Sequence, residues 1–299
     1  MSLQVYLSAG LGNRLFQYAS VKGLAKKYTL DFNIFAIDYN HEHNFNNYDW
    51  FLQKIITINT QCLQIPRRIM MNTHYIQQAY PLIKIWFQPE KEHIGYFEPN
   101  INDITNKVLY GYFQSEKYFE NIADEIRVQF KEPINITPII NEYIESLNKQ
   151  GIDINQCCIV HVRLKDKLGD ARHFVHYGKY YERAINLVKK SNPNTYFLVL
   201  SETPEDINRI YPDLLGQLGI DNKTYSFVPR NYSNLDLFDF YLLTRISRII
   251  GSCSTFVWWG AWLNPIPFPE KEVYLPNKFT NDLVNNYVDM KGAQFIEVD

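Results

Sequence analysis

The chain has 299 residues, 46% hydrophobic and 21% charged, with a formal net charge of −2 at pH 7. That length suggests about two domains of roughly 150 residues, and the balanced charge lacks the basic field of a general nucleic-acid binder. Cys62, Cys157, Cys158 and Cys253 have no metal-ligand spacing and read as reduced thiols of a cytosolic compartment, while no signal peptide and no apolar run near the ~20 residues of a membrane span is present.

Leu3 to Leu7 alternates as a strand, Ser8 to Asn13 is a small-residue loop, Leu15 to Tyr28 has helical spacing, and Leu30 to Ile37 reads as a second strand. Residues 38 to 110 have weak periodicity and many isolated aromatics, which predicts short helices and long loops around Trp50, Pro66, Pro81 and Pro89. A helix is expected over Tyr118 to Phe130. Another starts at Thr137-Pro138, where Thr can cap and Pro suits the first turn, and ends near Gly151. From Cys157 the alternation is clean. Strands are expected at 157 to 163, 196 to 200, 225 to 228, 248 to 251 and 273 to 275. Helices are expected at 180 to 190, from Pro204, at 235 to 246 and at 255 to 263. Repeated β-α units make this an α/β chain with parallel sheets covered by helices. The boundary is expected near residues 150 to 156, giving halves 1–152 and 153–299.

Four stretches can carry chemistry. In Ile159-Val160-His161-Val162-Arg163-Leu164-Lys165-Asp166 an apolar run hands over to polar residues, as a buried parallel strand does at a working carboxyl end. If extended, it places His161, Arg163 and Lys165 on one face and Val162 and Leu164 on the other. The Arg163 guanidinium either binds phosphate through two parallel hydrogen bonds or pairs with Asp166 or another carboxylate. His161 alone reads more readily as a hydrogen-bonded structural residue than as a catalyst. In Ser8-Ala9-Gly10-Leu11-Gly12-Asn13-Arg14, glycines between strand and helix let N–H groups approach an anion, or simply form a tight turn. Ser201 and Glu202 end a strand on the same edge as Arg163 and can hydrogen-bond ligand hydroxyls or base. Ser254 and Thr255 open a helix after Gly251-Ser252-Cys253 and can receive a phosphate, with Trp258, Trp259 and Trp262 packing that helix. There is no Asp-x-Asp, and His41-Glu42-His43 and His173/His176 lack further ligands, so no metal is expected. The 15% aromatic share reads first as packing and second as a sugar- or base-stacking surface.

Together these stretches resemble the α-1,2-fucosyltransferase family (glycosyltransferase family 11). Gly10-Leu11-Gly12-Asn13-Arg14-Leu15-Phe16-Gln17-Tyr18-Ala19 is similar to its N-terminal signature. Further similar segments are Gly111-Tyr112-Phe113-Gln114-Ser115, His161-Val162-Arg163-Leu164-Lys165-Asp166, Ser201-Glu202-Thr203-Pro204-Glu205, and Ser254-Thr255-Phe256-Val257-Trp258-Trp259-Gly260-Ala261-Trp262-Leu263-Asn264. Their order and spread over the chain make the match specific. The resemblance implies a GT-B-like fold, two Rossmann-type halves with a central cleft, in which the N-terminal half takes the acceptor and the C-terminal half the donor. It implies a GDP-β-L-fucose donor, a glycan acceptor, inversion to an α-linkage and no metal. Arg163 would carry the donor pyrophosphate, joined by Gly10, Gly12, Asn13, Arg14, Lys165, Ser201, Glu202, Ser254 and Thr255. The acceptor proton would pass to His161, Asp166, His173, Glu202 or a donor phosphate oxygen.

The chain departs from the family pattern at Leu164, where a second Arg is expected, at Glu202 and Thr203 for two Asp, and at Ala9 and Arg14 for Gly and Gln. Lys165 or Arg14 is expected to supply the cation that Leu164 does not. Another GDP-6-deoxyhexose donor, or a glycan-binding protein that has lost the chemistry at Leu164, are the alternative readings. The chain is expected to act in the cytosol without a membrane anchor.

Overall fold

Short apolar strands alternating with helices lay down the first sheet. The computed structural model describes residues 1–38, 63–89, 94–164, 167–169, 174–219, 223–232, 235–281 and 288–298. In chain order come β1 (Ser2–Leu7), α1 (Leu11–Lys27), β2 (Asp31–Ile37), β3 (Leu63–Gln64), α2 (Arg67–Met70), α3 (Thr73–Ala79), β4 (Ile85–Phe87), α4 (Ile101–Ile104), β5 (Val108–Tyr110) and α5 (Ala123–Gln129). Among the described residues the strands run β3-β2-β1-β5-β4, every pair parallel. Tyr6, Ala36, Val108 and Tyr110 pack with Ile65, Met70 and Ile76. Helix α1 is buried along most of its length, and a Cβ at Gly23 would lie 2.2 Å from the Tyr118 carbonyl oxygen. Glycine there lets the turn at Tyr118 and Phe119 sit directly on the helix.

Helix α1 begins earlier than the expected Leu15, because Gly12, Asn13 and Arg14 enter its first turn; the Arg14 N–H donates to the Gly10 carbonyl at 3.1 Å. The loop therefore shrinks to Ser8, Ala9 and Gly10. Ala9 carries its bend with φ of 63°, a left-handed conformation in which Cβ crowds the carbonyl.

The second unit continues with α6 (Thr137–Lys149), β6 (Cys157–Val162), α7 (Gly178–Ser191), β7 (Tyr196–Ser201), α8 (Pro204–Ile210), α9 (Leu214–Leu218), β8 (Tyr225–Phe227), α10 (Leu235–Leu243), β9 (Arg248–Ile250), α11 (Thr255–Leu263), β10 (Glu272–Pro276) and β11 (Gln294–Ile296). Its strands run β11-β10-β9-β6-β7-β8, all parallel. This is the doubly wound dinucleotide-fold order, with its reversal between β6 and β9. Cys158, Val160, Val162 and Leu164 pack with Tyr180, Tyr181, Ala184, Ile185 and Val188 of α7. On the other face α10 and α11 are buried almost all round, as central helices must be apolar on every side. They approach closely enough that a Cβ on Gly260 would lie 2.6 Å from Leu243. The Asn264 amide donates to the carbonyls of Leu243 and Ile246 at 3.1 and 2.8 Å. Lys271 Nζ donates to those of Ala261 and Asn264 at 2.9 and 3.0 Å. Each helix end thus has carbonyls held by a long side chain.

The two units run Met1–Lys131 and Glu132–Asp299, a division that falls before the expected 150 to 156. Helix α6 joins the second unit because its Tyr143 ring packs on Tyr232 and Phe238, with centroids at 6.1 and 5.6 Å.

Relieving the bend at Ala9 is the direct test of this loop. Ala9→Gly is expected to raise stability by about 1 kcal/mol, the left-handed penalty less the extra freedom glycine gives the unfolded chain; chemical denaturation of the two proteins measures it.

Candidate active site

The ladder between β6 and β9 ends at Val160 and Ile250, while β6 continues beside β7 to Val162 and Ser201. The last residues of β6 therefore face the loop Gly251 to Ser254 across the reversal point, where open α/β sheets bind ligands. Alternation then decides which side chains meet it. Val162 and Leu164 turn into the core, both fully buried. His161 Nδ1 lies 2.8 Å from Ser252 Oγ, and Arg163 Nη1 donates to Ser254 Oγ at 3.3 Å.

Ser254 is the N-cap residue of α11, yet its side chain makes no capping bond. Its hydroxyl receives the guanidinium instead. A half-buried arginine thus reaches the residue at which a helix starts, an arrangement that suits an anion with several oxygens. Two neighbouring tyrosines of α7 fix the backbone on both sides. Tyr181 Oη donates to the His161 carbonyl at 2.9 Å, and Tyr180 Oη to the Gly251 carbonyl and to the Tyr274 carbonyl at 2.9 Å.

His161 is 7% exposed, and its ring stacks on Phe256 with centroids 6.3 Å apart. Burial, reinforced by the charges of Arg163 and Arg230, pushes its pKa down to about 3. The imidazole is neutral near pH 7 and acts as a hydrogen-bonding group.

Arg230 and Asp239 are two residues that the motif analysis passed over. Arg230 follows β8 and pairs through Nη1 with Oδ2 of Asp239 on α10. Asp239 is 6% exposed, and its Oδ1 has no hydrogen-bond partner among the described residues. Burial pushes its pKa up to about 7 against the pull of Arg230, with Asp236 and Glu202 adding to the rise. Of the two Asp in the apolar run Leu235-Asp236-Leu237-Phe238-Asp239-Phe240-Tyr241, Asp236 lies in the first helical turn, where an acid is ordinary; Asp239, further in, is the sequence signal, since a carboxylate rarely enters such a helix without a partner.

Of the other expected residues in this unit, Ser201 is buried and accepts the Thr203 N–H at 3.3 Å, which starts α8. Glu202 is exposed and Thr255 is buried on α11. Lys165, Asp166 and His173 lie outside the described residues, as do His41, Glu42 and His43.

In the first unit, the segments containing Gly10 and Gly111 interlock at the corresponding reversal, between β1 and β5. Gln17 Oε1 accepts the Ser8 N–H at 2.7 Å while its Nε2 donates to the Gly111 carbonyl at 3.0 Å. Gln114 Nε2 donates to Asn13 Oδ1 at 2.8 Å. Gly10 and Gly12 flank the start of α1 beside this network. Arg14, expected at the donor, is fully buried, with Nε donating to the Ala9 carbonyl and Nη2 to the Asp38 carbonyl, both at 2.9 Å. It clamps these two carbonyls together.

The sequence model of glycosyl transferase family 11 matches residues 2–282. The chain belongs to that family. An alpha-1,2-colitosyltransferase of Escherichia coli is 24% identical over 290 residues, covering 89% of this chain and 92% of that one. A galactoside 2-alpha-L-fucosyltransferase of Caenorhabditis elegans is 27% identical over 261 residues, covering 85% of this chain and 67% of that one. Among solved structures, the fucosyltransferase NodZ from Bradyrhizobium is 14% identical with a TM-score of 0.47, covering 89% of this chain and 93% of that one.

The chain is a glycosyltransferase, and none of the helices among its described residues is long and apolar enough to cross a membrane. Two buried titrating groups of this glycosyltransferase act in opposite senses. The folded state resists protonating His161, so that residue contributes stability present above its ordinary value of 6.5 and lost as pH falls toward about 3. The folded state holds the Asp239 proton, so that residue contributes stability present below its ordinary 3.8 and lost as pH rises toward about 7. Relative to wild type, His161→Gln is expected to lose stability as pH rises through the first window, and Asp239→Asn to gain it through the second. Each difference should approach a slope of about 1.4 kcal/mol per pH unit, measured by denaturant unfolding at stepped pH.

Proposed function

We propose that the protein transfers L-fucose from GDP-β-L-fucose to O2 of a galactoside, with inversion and without a metal. The observation that carries this reading is the Arg163 guanidinium at Ser254, beside the start of α11 and at the reversal point of a dinucleotide-type sheet. As the glycosidic bond breaks, negative charge gathers on the diphosphate and the sugar becomes oxocarbenium-like. A fixed guanidinium and helix N–H groups stabilise that charge without reorganising, so no metal is called for. The acceptor hydroxyl attacks from the opposite face. Its proton passes to His161, to Asp166, to His173, to Glu202 or to a donor phosphate oxygen.

Leu164 speaks less strongly about the donor than its place in the motif suggests. Its side chain is fully buried with Val162 and Tyr181, on the face away from Arg163. Replacing arginine there changes the core, and the ligand face keeps its own arginine.

A second reading is favoured by the relative named for colitose. Colitose is L-fucose without its 3-hydroxyl, so one pyrophosphate site can serve either donor. A panel of GDP-sugars, read by GDP release in the presence of a galactoside, separates the two. Arg163→Ala is expected to lower kcat/KM for the true donor by about a hundredfold to a thousandfold, with Arg163→Lys between. Full turnover in Arg163→Ala would remove the guanidinium from the mechanism.

A further inference from the structure

Arg67 follows β3 and opens α2, at the carboxyl edge of the first sheet. Its backbone N–H donates to Asp38 Oδ1 at 2.9 Å, and its Nε donates to Tyr110 Oη at 2.8 Å. Asp38, which follows β2, is 4% exposed, and Tyr110, which ends β5, is 8% exposed. The Tyr110 ring stacks on Tyr6 at 5.6 Å and tilts against Phe87 at 5.4 Å. Both ends of the arginine are therefore held by buried groups. The residue itself stays exposed, and neither Nη atom has a partner among the described residues.

A structural ion pair would put a carboxylate on those nitrogens. Asp38 instead gives its oxygen to the backbone N–H and leaves the outer fork to solvent. Aiming a guanidinium costs side-chain entropy, and here the Nε bond to Tyr110 fixes the fork while its two Nη atoms gain no partner among the described residues. The fork neighbours aromatic residues: Tyr110, which takes the Nε bond, lies against the exposed ring of Phe87, and the half-buried Tyr112 is near enough to act on the guanidinium electrostatically. Planar paired donors beside ring faces match a pyranose, which offers oxygens on adjacent carbons and an apolar face of C–H groups. The carboxyl edge of an open α/β sheet is where such a ligand sits.

We propose that Arg67, aimed by Tyr110, binds a sugar of the acceptor glycan through two of its oxygens on the first unit. The proposal rests on the transferase reading for the word acceptor, while the sugar site stands on its own geometry. The full-length wild type, Arg67→Gln and Tyr110→Phe are compared on an array of neutral galactosides and uronic-acid glycans, with melting temperatures and calorimetric GDP affinity measured on the same preparations. Retention is expected to fall about tenfold or more in Arg67→Gln and less in Tyr110→Phe, at unchanged GDP affinity. Loss on the neutral arm identifies hydroxyl recognition, and loss confined to the acidic arm identifies a carboxylate as the paired oxygens.

Equal retention by Arg67→Gln, or no glycan retained by the wild type, overturns the site. An equal fall in GDP affinity overturns it too, because the effect would then not be confined to the sugar. Should Arg67→Gln melt early, Arg67→Lys keeps the charge without the fork, and undiminished retention by that variant overturns the paired contact. A wild type that binds glycans but no GDP would sink the donor reading and leave this one standing.

Discussion

The carbonyls of His161 and Gly251 lie past the last rung that β6 and β9 share, and each accepts a hydrogen bond from a buried tyrosine of α7. A strand end that leaves its ladder must find other partners for its peptide groups, or bear the cost of burying them unsatisfied. Tyr181 and Tyr180 supply those partners from below the sheet. The upper side of the same loop is then free for side-chain chemistry. The hydroxyls of Ser252 and Ser254 meet His161 and Arg163, and α11 starts where the guanidinium lies. Both tyrosine rings are anchored in the aromatic cluster with Tyr177 and Tyr211. Rigidity of the strand ends is thus inherited from the core, as a preorganised anion site requires.

This division of labour explains which parts of the protein were legible in its sequence. The second unit was readable because its β-branched strands and helix signals alternate at ordinary lengths; Thr255 to Leu263 was placed without error. Alternation alone sorted His161 and Arg163 from Val162 and Leu164. The first unit was harder. Strands β3, β4 and β5 are two or three residues long, too short for any periodicity to show. They hold their places through pairing with longer neighbours and through side chains such as Gln88, whose Oε1 accepts the N–H groups of Tyr112 and Phe113 at 2.9 Å. Such contacts join residues far apart in the chain and leave no local pattern.

The site was legible as motifs, and less so as roles. Asn13, Gln17 and Gln114 belong to segments that suggest ligand binding, yet several of their polar groups are used within the unit, tying Gly111 and the start of α1 together. Arg230 and Asp239 show the opposite case. They lie in no quoted motif, but one oxygen of the buried Asp239 carboxylate has no partner among the described residues, and its ion-pair partner Arg230 acts electrostatically on His161. A motif marks residues whose geometry is demanding. Whether the demand comes from a ligand or from the fold appears only when hydrogen-bond partners are counted.

Ala9 and Arg14 carry this reasoning one step further. Taken singly, each is a departure from the family signature: an alanine where glycine suits a left-handed bend, and an arginine where glutamine stands. Taken together they are one device. The bend at Ala9 carries a steric cost, and the Arg14 Nε holds the carbonyl of that same residue. Its Nη2 holds the Asp38 carbonyl at the end of the neighbouring strand. A charged donor to a buried carbonyl is stronger than a neutral one, so the arginine can fix a conformation that alanine resists. The guanidinium's charge sits against peptide oxygens at two strand ends, in the same relation to its sheet as the tyrosine hydroxyls have to theirs. In both units, then, what keeps a strand end in place is a long side chain from the following helix reaching back to a carbonyl that the ladder no longer serves.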